Sequence, residues 1–552
     1  MFLAQRLLVA CLVVCGLMPT LKAQQLDLQL RYQEPVAEGA KRFHRLSRAE
    51  QWQPSETALI ICDMWDAHHC VNAVRREAEI APRIDALANA LRGRGATIIH
   101  APSGCVPHYA DHPARKRAQA TPAAATLPQD IADWCDQIPR EEAVAYPLDQ
   151  SAGGEDDDPA DHRQWAERLT DLGRNPRAPW LAQTAAISID PQRDYISDSG
   201  PEIWGVLADQ KISNVILVGV HTNMCVLGRP FGLRRLAEAG KNVVLARDLT
   251  DTMYDPNAWP YASHFTGTDL IISHIERYVC PTITSDQILG GQAHQYSSDR
   301  RLRLVMLMAE DEYQTETTLP TFAAKHLSQH FSVSTCYGSE TAREKIIGMQ
   351  DIESADALLI SVRRRALPAA DLALVRAFAA SGKPMIGIRT ASHAFSLRDD
   401  QPAEGLAVWP QFDAEIWGGS YSGHYGNDLK SQLQVVQAAQ EHPILAAASI
   451  NASFQPGGSL YKTAPLQAGA QPLLEGTLSD EPPQPLAWTF IRGDGGRSFY
   501  TSLGHVDDFK QSQFEALLSA GIHWACGLQP HAADAIEAQN QRYAAGHGKQ
   551  RK

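Results

Sequence analysis

The sequence lacks several features that would assign it to a familiar class of protein. None of its ten cysteines forms a Cys-x-x-Cys pair, which argues against a zinc knuckle. It has no low-complexity tract and no internal repeat, and its 44% hydrophobic and 20% charged residues are typical of a globular protein. The net charge of −13 argues against a nucleic-acid partner, which would need a basic stripe. Beyond the N-terminus, no segment is long and apolar enough for a membrane span.

The N-terminal segment has the pattern of a secretory signal. One arginine precedes an apolar run over residues 7–18, which is too short to cross a bilayer, and a small residue follows at Ala23. This pattern predicts a signal peptide over residues 1–23 and a periplasmic or secreted protein. Eight cysteines follow the signal, and their spacing leaves open which of them would pair in an oxidising compartment.

The chain is too long for one hydrophobic core and predicts two domains. We place them at residues 45–291 and 302–530, with a polar linker at 292–301 and a polar tail at 531–552. In both halves, apolar strand-like runs alternate with helical segments. The predicted fold class is therefore α/β, with two three-layer α/β/α domains that each contain a mainly parallel, doubly wound sheet.

One segment of the first half, residues 215–251, places a cysteine where parallel sheets carry their active sites. A β-branched run from Val215 to Val218 predicts a buried strand, and Cys225 follows where a helix should begin. The positive end of that helix would favour the thiolate form of Cys225. An earlier strand over residues 57–62 ends in Asp63. The local pattern alone also fits a cysteine that is simply buried.

The sequence GVHTNMCV resembles the signature of the isochorismatase-like cysteine hydrolases, which include nicotinamidases and N-carbamoylsarcosine amidases. The resemblance extends over nearly the whole first domain. It implies that Cys225 is the nucleophile and Asp63 the base. Asp190 stands where the family has the third catalytic residue, a lysine, and Arg193 is the nearest cation. Arg193 is therefore the candidate third residue, although an arginine does not relay a proton as a lysine can.

The loop that carries the cysteine also supplies candidate substrate contacts. We expect His221 and Asn223 to contact substrate, because the loop is held around the nucleophile. The backbone N–H groups of Met224 and Cys225 would form an oxyanion hole.

A metal site is a further alternative in the first domain. Asp66, His68 and His69 resemble part of the metal site of nicotinamidases, but histidines early in a helix also face solvent. A divalent metal is therefore left open as a cofactor, and no other cofactor is assigned. The expected partner is a small-molecule substrate, and homo-oligomerisation is left open.

The second half resembles the ThuA-like family, named for trehalose utilisation, whose fold is that of class I glutamine amidotransferases. The motifs that carry the resemblance span residues 302 to about 527 and include EDEY, GKPMIGIRTASHAF, GGSYSGHYGND and RSFYTSLGH. Arg389 occupies the turn where amidotransferases have their cysteine. The missing nucleophile excludes amidotransferase chemistry.

The same motifs supply polar and aromatic side chains for a cleft that suits a carbohydrate-type ligand. The candidates are Glu310, Glu312, Tyr313, Arg389, Ser392, His393, His424 and His505. If the first strand continued far enough, Glu310 and Glu312 would share one face and could act as acid and base. A charge pair at a helix start is the alternative. Zinc binding by the three histidines is a further alternative without support from ligand spacing.

Three functional hypotheses remain. In the first, the chain is an exported hydrolase that cleaves a C–N bond in a small molecule, while the ThuA-like domain binds a carbohydrate. In the second, the ThuA-like domain acts on a sugar and the first domain is a scaffold. In the third, both halves bind ligands without catalysis.

Overall fold

The computed structural model describes residues 25–398, 401–451 and 453–550. The signal peptide expected at residues 1–23 lies outside the described residues, so export stays a prediction. Within the described ranges, no helix combines the length and the apolar character that crossing a membrane requires. All eight cysteines of these ranges are free thiols.

Two eight-stranded sheets, one in each half of the described chain, confirm the predicted fold class. The first sheet has the order β2-β1-β8-β7-β6-β3-β4-β5. Its strands are β1 (Leu26–Pro35), β2 (Phe43–Trp52), β3 (Thr57–Cys62), β4 (Thr97–Ala101), β5 (Tyr195–Ile196), β6 (Asn214–Val220), β7 (Asn242–Asp251) and β8 (Thr282–Ile283). The helices of this half are α1 (Val71–Gly93), α2 (Pro113–Ala120), α3 (Pro159–Asp171), α4 (Gly200–Asp209), α5 (Leu233–Glu238), α6 (His264–Tyr278) and α7 (Asp286–Leu289).

The centre of the first sheet is parallel and fully buried. Strands β3 and β6 pair with each other, every residue in both is buried, and β4 and β7 flank them in parallel. Strands buried on both faces need continuous apolar runs, which is why these two were recognisable in the sequence. The antiparallel hairpin β1–β2 joins the same sheet through β8, so the sheet starts upstream of the boundary predicted at residue 45.

The second sheet has the order β10-β9-β11-β13-β20-β19-β18-β16, parallel from β10 to β20 and antiparallel beyond. Two small two-stranded sheets accompany it, β12-β14 and β15-β17. The strands are β9 (Leu302–Ala309), β10 (Phe331–Tyr337), β11 (Ala357–Val362), β12 (Leu367–Pro368), β13 (Met385–Ile388), β14 (Leu406–Ala407), β15 (Gly423–His424), β16 (Gln432–Val435), β17 (Tyr461–Lys462), β18 (Ala470–Leu478), β19 (Glu481–Ile491) and β20 (Arg497–Thr501). The helices are α8 (Thr315–His326), α9 (Ala369–Ala380), α10 (Pro443–Ala448), α11 (Ser512–Ala525) and α12 (Ala533–Gln550).

The predicted polar tail, residues 531–552, is largely helical in the described part. Helix α12 lies against the first half of the chain as well as the second. The rings of Trp259 and Tyr543 are 5.9 Å apart, and Arg542 Nη2 donates to the carbonyl of Asn257 at 3.1 Å. The tail is polar because one face of this helix remains in water while the other covers the junction of the two halves.

The hairpin β1–β2 also links the two halves. Arg42 Nη1 lies 3.0 Å from Glu316 Oε1, and Arg45 Nη1 lies 2.6 Å from Asp351 Oδ2. A cavity of about 420 Å³ lies at the same junction, between the hairpin, α6 and the start of β10. The two domains are therefore in direct contact.

Candidate functional site

The carboxyl ends of β3 and β6 bring together Asp63 and Cys225, the predicted base and nucleophile. Cys62 and Gly219 are register partners in the adjacent strands. Gly219 has φ +122°, and a Cβ there would lie 1.9 Å from the carbonyl oxygen of Cys62. Only glycine permits this approach. The chain therefore leaves both strands side by side, with Asp63 after one and the loop of Cys225 after the other.

Asp63 is fully buried and its carboxylate is held from both sides. Oδ1 accepts a hydrogen bond from the backbone N–H of Ser103 at 2.8 Å. Oδ2 accepts from Arg229 Nε at 3.0 Å and lies 2.9 Å from Arg229 Nη2. Hydrogen bonds to both oxygens fix the position of the carboxylate, as a catalytic base requires.

Cys225 faces this carboxylate from a short π-helical turn, Thr222–Val226. Burial raises the pKa of the Cys225 thiol well above its ordinary value, the negative charge of Asp63 raises it further, and Arg229 opposes both effects. The expectation of a thiolate favoured by a helix start is therefore wrong. The regular helix α5 begins only at Leu233, so Cys225 does not lie in its first turn. The resting thiol is protonated, with a proton acceptor beside it.

Arg193, the predicted third catalytic residue, lies elsewhere. Its side chain is 60% exposed, and Nη2 pairs with Asp190 Oδ2 at 2.7 Å. The cation at Asp63 is Arg229, which was not among the sequence-predicted catalytic residues. Its spacing of four residues from Cys225 could have indicated that the two residues are neighbours. One helical turn separates them, and the backbone N–H of Arg229 donates to the Cys225 carbonyl at 3.0 Å.

His221 lies beside the nucleophile and forms part of an aromatic wall. It adopts the left-handed conformation with φ +63°, and its Nδ1 is 3.8 Å from Cys225 Sγ. Its ring centroid is 5.4 Å from that of Trp65, which stacks on Trp180 at 4.9 Å. Burial lowers the pKa of His221 to about 4, so the ring is neutral at pH 7. The two tryptophans were not among the sequence-predicted site residues.

Asn223 and Met224 hold the loop together and also line a cavity of about 620 Å³. The Asn223 amide exchanges hydrogen bonds with the Met253 backbone, donating from Nδ2 at 2.9 Å and accepting at Oδ1 at 3.0 Å. The Met224 N–H donates to the His221 carbonyl at 2.9 Å. Asn223 therefore fixes the loop, and of the two predicted oxyanion donors only the Cys225 amide remains a candidate.

The metal trio suggested by the sequence does not converge. Asp66 accepts from Arg174 Nη2 at 2.8 Å and from the backbone N–H of Leu181 at 3.0 Å. His68 Nδ1 accepts from the Cys70 N–H at 3.1 Å, while His69 Nε2 lies 2.9 Å from Glu155. Each side chain thus has its own partner.

In a different acidic cluster of the first domain, the carboxylates already have an arginine and backbone amides as partners. Cys70, Asp156 and Asp157 place their ligand atoms within 4.8 Å of one another. Arg76 binds Asp156 through two nitrogens, at 2.7 and 3.0 Å. Asp157 accepts from the first two amides of α1 at 2.9 and 2.8 Å. This is a network that ties α1 to the following loop rather than a cation site.

In the second domain, Glu310 and Glu312 do not form the predicted pair on one strand face. Strand β9 ends at Ala309. The Glu310 carboxylate accepts from the backbone N–H of Tyr313 at 2.8 Å and of Thr315 at 2.9 Å, which starts α8. Glu312 pairs with Arg363 at 2.5 Å. The geometry matches the alternative, a charged group at a helix start.

Arg389 lies at the centre of the side chains that were predicted to line a cleft in the ThuA-like domain. It follows β13 with φ +45° and is only 2% exposed. Its guanidinium carbon lies 4.3 Å from the ring centroid of Tyr313 and 4.5 Å from that of Tyr461. Nη1 donates to the Ser502 carbonyl at 2.5 Å, while Nε is buried without a hydrogen-bond partner. A Cβ at Gly458 would lie 2.3 Å from Nη2, so a larger residue there would displace the guanidinium.

His393 lies on the same side of the cleft, against two tyrosines that sequence reasoning did not select. Its ring centroid is 4.4 Å from Tyr421 and 6.2 Å from Tyr461, and Nδ1 is 3.0 Å from Ser392 Oγ. Burial lowers the pKa of His393 to about 3, helped by nearby arginines of which Arg364 acts most strongly. His393 is therefore a neutral hydrogen-bonding group in a basic, aromatic cleft.

The other two predicted histidines differ in placement. The His505 ring lies 5.8 Å from that of Tyr313 and borders the cleft. His424 is exposed on β15, and its Nδ1 lies 2.8 Å from the Tyr425 carbonyl. Within the described ranges, the ring nitrogens of His393, His424 and His505 form no metal-binding group.

Comparison with known proteins gives one family match. Residues 303–525 match the family model for ThuA, trehalose utilisation. This confirms the predicted ThuA-like domain. No curated protein is similar enough to the chain to count as a match.

Several solved structures resemble one half of the chain each. A ThuA-like protein from Bacteroides uniformis is 15% identical with a TM-score of 0.31, covering 43% of this chain and 95% of its own. A cysteine hydrolase from Pseudomonas syringae pv. phaseolicola is 15% identical with a TM-score of 0.26, covering 43% and 93%. An isochorismatase family protein from Burkholderia thailandensis is 16% identical with a TM-score of 0.24, covering 42% and 93%.

Proposed function

We propose that the chain is an exported cysteine hydrolase that cleaves a C–N bond in a small amide, with the chemistry in the first domain. The observation that carries this proposal is the group of three side chains at the ends of β3 and β6. A protonated Cys225 thiol faces Asp63, whose carboxylate is buried and fixed by Arg229. A nucleophile that lies close to its base, with the base itself oriented by a third group, is the arrangement that covalent catalysis needs.

The proposed reaction has two stages. Cys225 Sγ attacks the amide carbonyl carbon while its proton passes to Asp63. The C–N bond then breaks, Asp63 returns the proton to the departing nitrogen, and ammonia or an amine leaves behind a thioester. In the second stage Asp63 takes a proton from water, the resulting hydroxide attacks the thioester, and the acid product leaves as the Cys225 thiol is restored.

Arg229 acts on both partners of this reaction. Its charge opposes the rise in the thiol pKa and holds the Asp63 carboxylate in place. It keeps its own proton throughout, because the negative charge of Asp63 and the hydrogen bond to it outweigh the lowering effect of burial and raise an already high guanidinium pKa. Its role is therefore to position and to stabilise charge, which differs from proton relay by a lysine.

Removing the charge of Arg229 is expected to lower turnover by about 100-fold, because the base loses its orientation and the thiol a stabilising charge. The change is Arg229→Gln, with Arg193→Gln as the matched control. The assay is ammonia or amine release from a panel of small primary amides and N-carbamoyl compounds. The control should stay within about two-fold of the wild type, since Arg193 contacts only its own exposed turn.

Two results would oppose the proposal. A larger loss in Arg193→Gln than in Arg229→Gln would return the third catalytic role to the loop at 190–193. No release from any amide in the panel, by a folded wild-type protein with a free Cys225 thiol, would remove the hydrolase assignment.

We propose in addition that the ThuA-like domain binds a carbohydrate-type ligand. The support is the group of side chains around Arg389, where the rings of Tyr313 and Tyr461 pack on the guanidinium and neutral His393 adjoins the tyrosines. Aromatic faces stack on sugar rings, and the unpartnered Nε of Arg389 can donate to a hydroxyl or carboxylate.

Loss of the Tyr313 ring is expected to weaken sugar binding at least about five-fold, because one aromatic face of the cleft disappears. Isothermal titration of Tyr313→Ala with mono- and disaccharides measures this. Tyr32→Ala, which removes a tyrosine of the first sheet, is the control. Equal affinity in the two variants would place the sugar elsewhere.

A further inference from the structure

Three histidines that neither proposed site uses meet at one point of the second domain. They come from three separate segments: His330 precedes β10, His523 lies in α11, and His531 lies in the loop before α12. Each offers a ring nitrogen, and these three atoms lie within 4.8 Å of one another. His523 is fully buried, while the other two are partly exposed, so an ion could reach them from solvent.

The spacing of the ring nitrogens is close to that of ligands on one ion. His330 Nδ1 and His523 Nε2 are 3.1 Å apart. Two nitrogens bound at 2.0 to 2.1 Å to a tetrahedral zinc ion lie about 3.3 Å from each other. The His531 ring is parallel to that of His330 at 5.0 Å and nearly perpendicular to that of His523 at 4.9 Å. Small side-chain rotations therefore convert the cluster into a three-nitrogen site.

The tautomer of His523 is already that of a metal ligand. Its Nδ1 lies 2.8 Å from the Ser519 carbonyl, an acceptor that requires the proton on Nδ1. Nε2 must then carry a lone pair that points toward the other two rings. A backbone carbonyl behind the ligating ring is the usual support of a metal-bound histidine.

The surroundings of this cluster differ from those of the acidic cluster around Asp156. There, an arginine and two backbone amides already bind the oxygens. At the histidines, a single hydrogen bond joins two rings, and His531 joins them only by ring contact. The ligand set is entirely imidazole, which suits zinc and its neighbours among the transition metals and not magnesium or calcium.

We propose that His330, His523 and His531 bind one divalent transition-metal ion such as zinc, with water completing the coordination. The ion fastens the junction of the two domains. The segment before His330 contacts the first domain, where Gln329 Nε2 donates to the Tyr261 carbonyl at 2.6 Å. The segment after His531 leads into α12, which packs on Trp259. Because His523 lies in α11, the bound ion would link both segments that contact the first domain to this helix.

The test uses the full-length protein after removal of metal by chelation. Titration with Co²⁺ is followed by its visible ligand-field absorption, and Zn²⁺ is then added to displace it. Wild type should bind one ion per chain and give a tetrahedral or five-coordinate spectrum. Zn²⁺ should also raise the midpoint of thermal unfolding, since it binds the folded state.

His531→Ala is the decisive variant, because His531 lies in a loop and its loss leaves α11 intact. It should weaken Zn²⁺ binding at least 100-fold and abolish the thermal shift. His108→Ala, which removes an exposed histidine of the first domain, and Cys70→Ser should each bind as wild type does. Equal affinity in His531→Ala and wild type, or loss of binding in Cys70→Ser, would overturn the proposal. So would an absence of Co²⁺ absorption in wild type.

Discussion

Changing Cys225 to alanine is expected to abolish amide turnover, with a fall of at least about 10⁴-fold in kcat. The reaction proposed for the first domain passes through a thioester on Cys225 Sγ, and no other group can form it there. Neighbouring Cys62 is fully buried within β3, and its pKa is raised well above the ordinary value by burial. Release of ammonia or amine from the best amide of the panel measures the effect.

The control for this change is Cys526→Ser, at a cysteine of the second domain that is partly exposed. It should keep wild-type turnover. Thermal unfolding of both variants separates loss of chemistry from loss of fold, since Cys225 belongs to a buried apolar cluster. Turnover that survives in a folded Cys225→Ala protein would move the activity to the cleft around Arg389 and leave the first domain as a scaffold.

Changing Asp63 to asparagine is expected to lower kcat by about 10² to 10⁴-fold, because an amide cannot accept the thiol proton. The substitution preserves shape and keeps an acceptor for the Ser103 N–H. The same substitution is expected to increase the reactivity of the Cys225 thiol. Removing the negative charge leaves Arg229 alone beside Cys225 and lowers the pKa of the thiol. The variant should therefore be more reactive toward an alkylating agent and less active as an enzyme.

Asp190→Asn is the matched control for this pair of effects. Asp190 is an aspartate of the first domain that pairs with the exposed Arg193. Both turnover and alkylation should match the wild type. A parallel fall of alkylation and turnover in Asp63→Asn would show that the carboxylate shapes the site without acting as its base.

The parts of the site that are determined by a single segment of the chain could be predicted from the sequence. Strands β3 and β6 are continuous apolar runs, so their ends, and with them Asp63 and Cys225, could be placed from local pattern alone. The parallel arrangement then follows from the alternation of strands and helices. Arg389 at the end of β13 was placed by the family resemblance instead, at the turn where amidotransferases have a cysteine.

The parts that failed depend on contacts between distant segments. Arg229 reaches Asp63 across 166 residues of sequence, whereas Arg193 was chosen because it lay near the expected position in the chain. The raised thiol pKa has a similar origin, since it comes from burial in the folded chain and from a carboxylate that follows another strand. The predicted placement of Glu310 on a strand face failed for a local reason. The strand ends one residue before Glu310, and its carboxylate accepts a hydrogen bond from the first residue of α8.

The most direct measurement is the rate at which iodoacetamide alkylates Cys225 as a function of pH, in wild type and in Asp63→Asn. Mass spectrometry locates the adduct, and no substrate is required. The account predicts a wild-type midpoint above the ordinary thiol value of about 8.5 and a clearly lower midpoint in the variant. A wild-type midpoint below 8.5, or the same midpoint in both proteins, would contradict the pairing of Cys225 with Asp63.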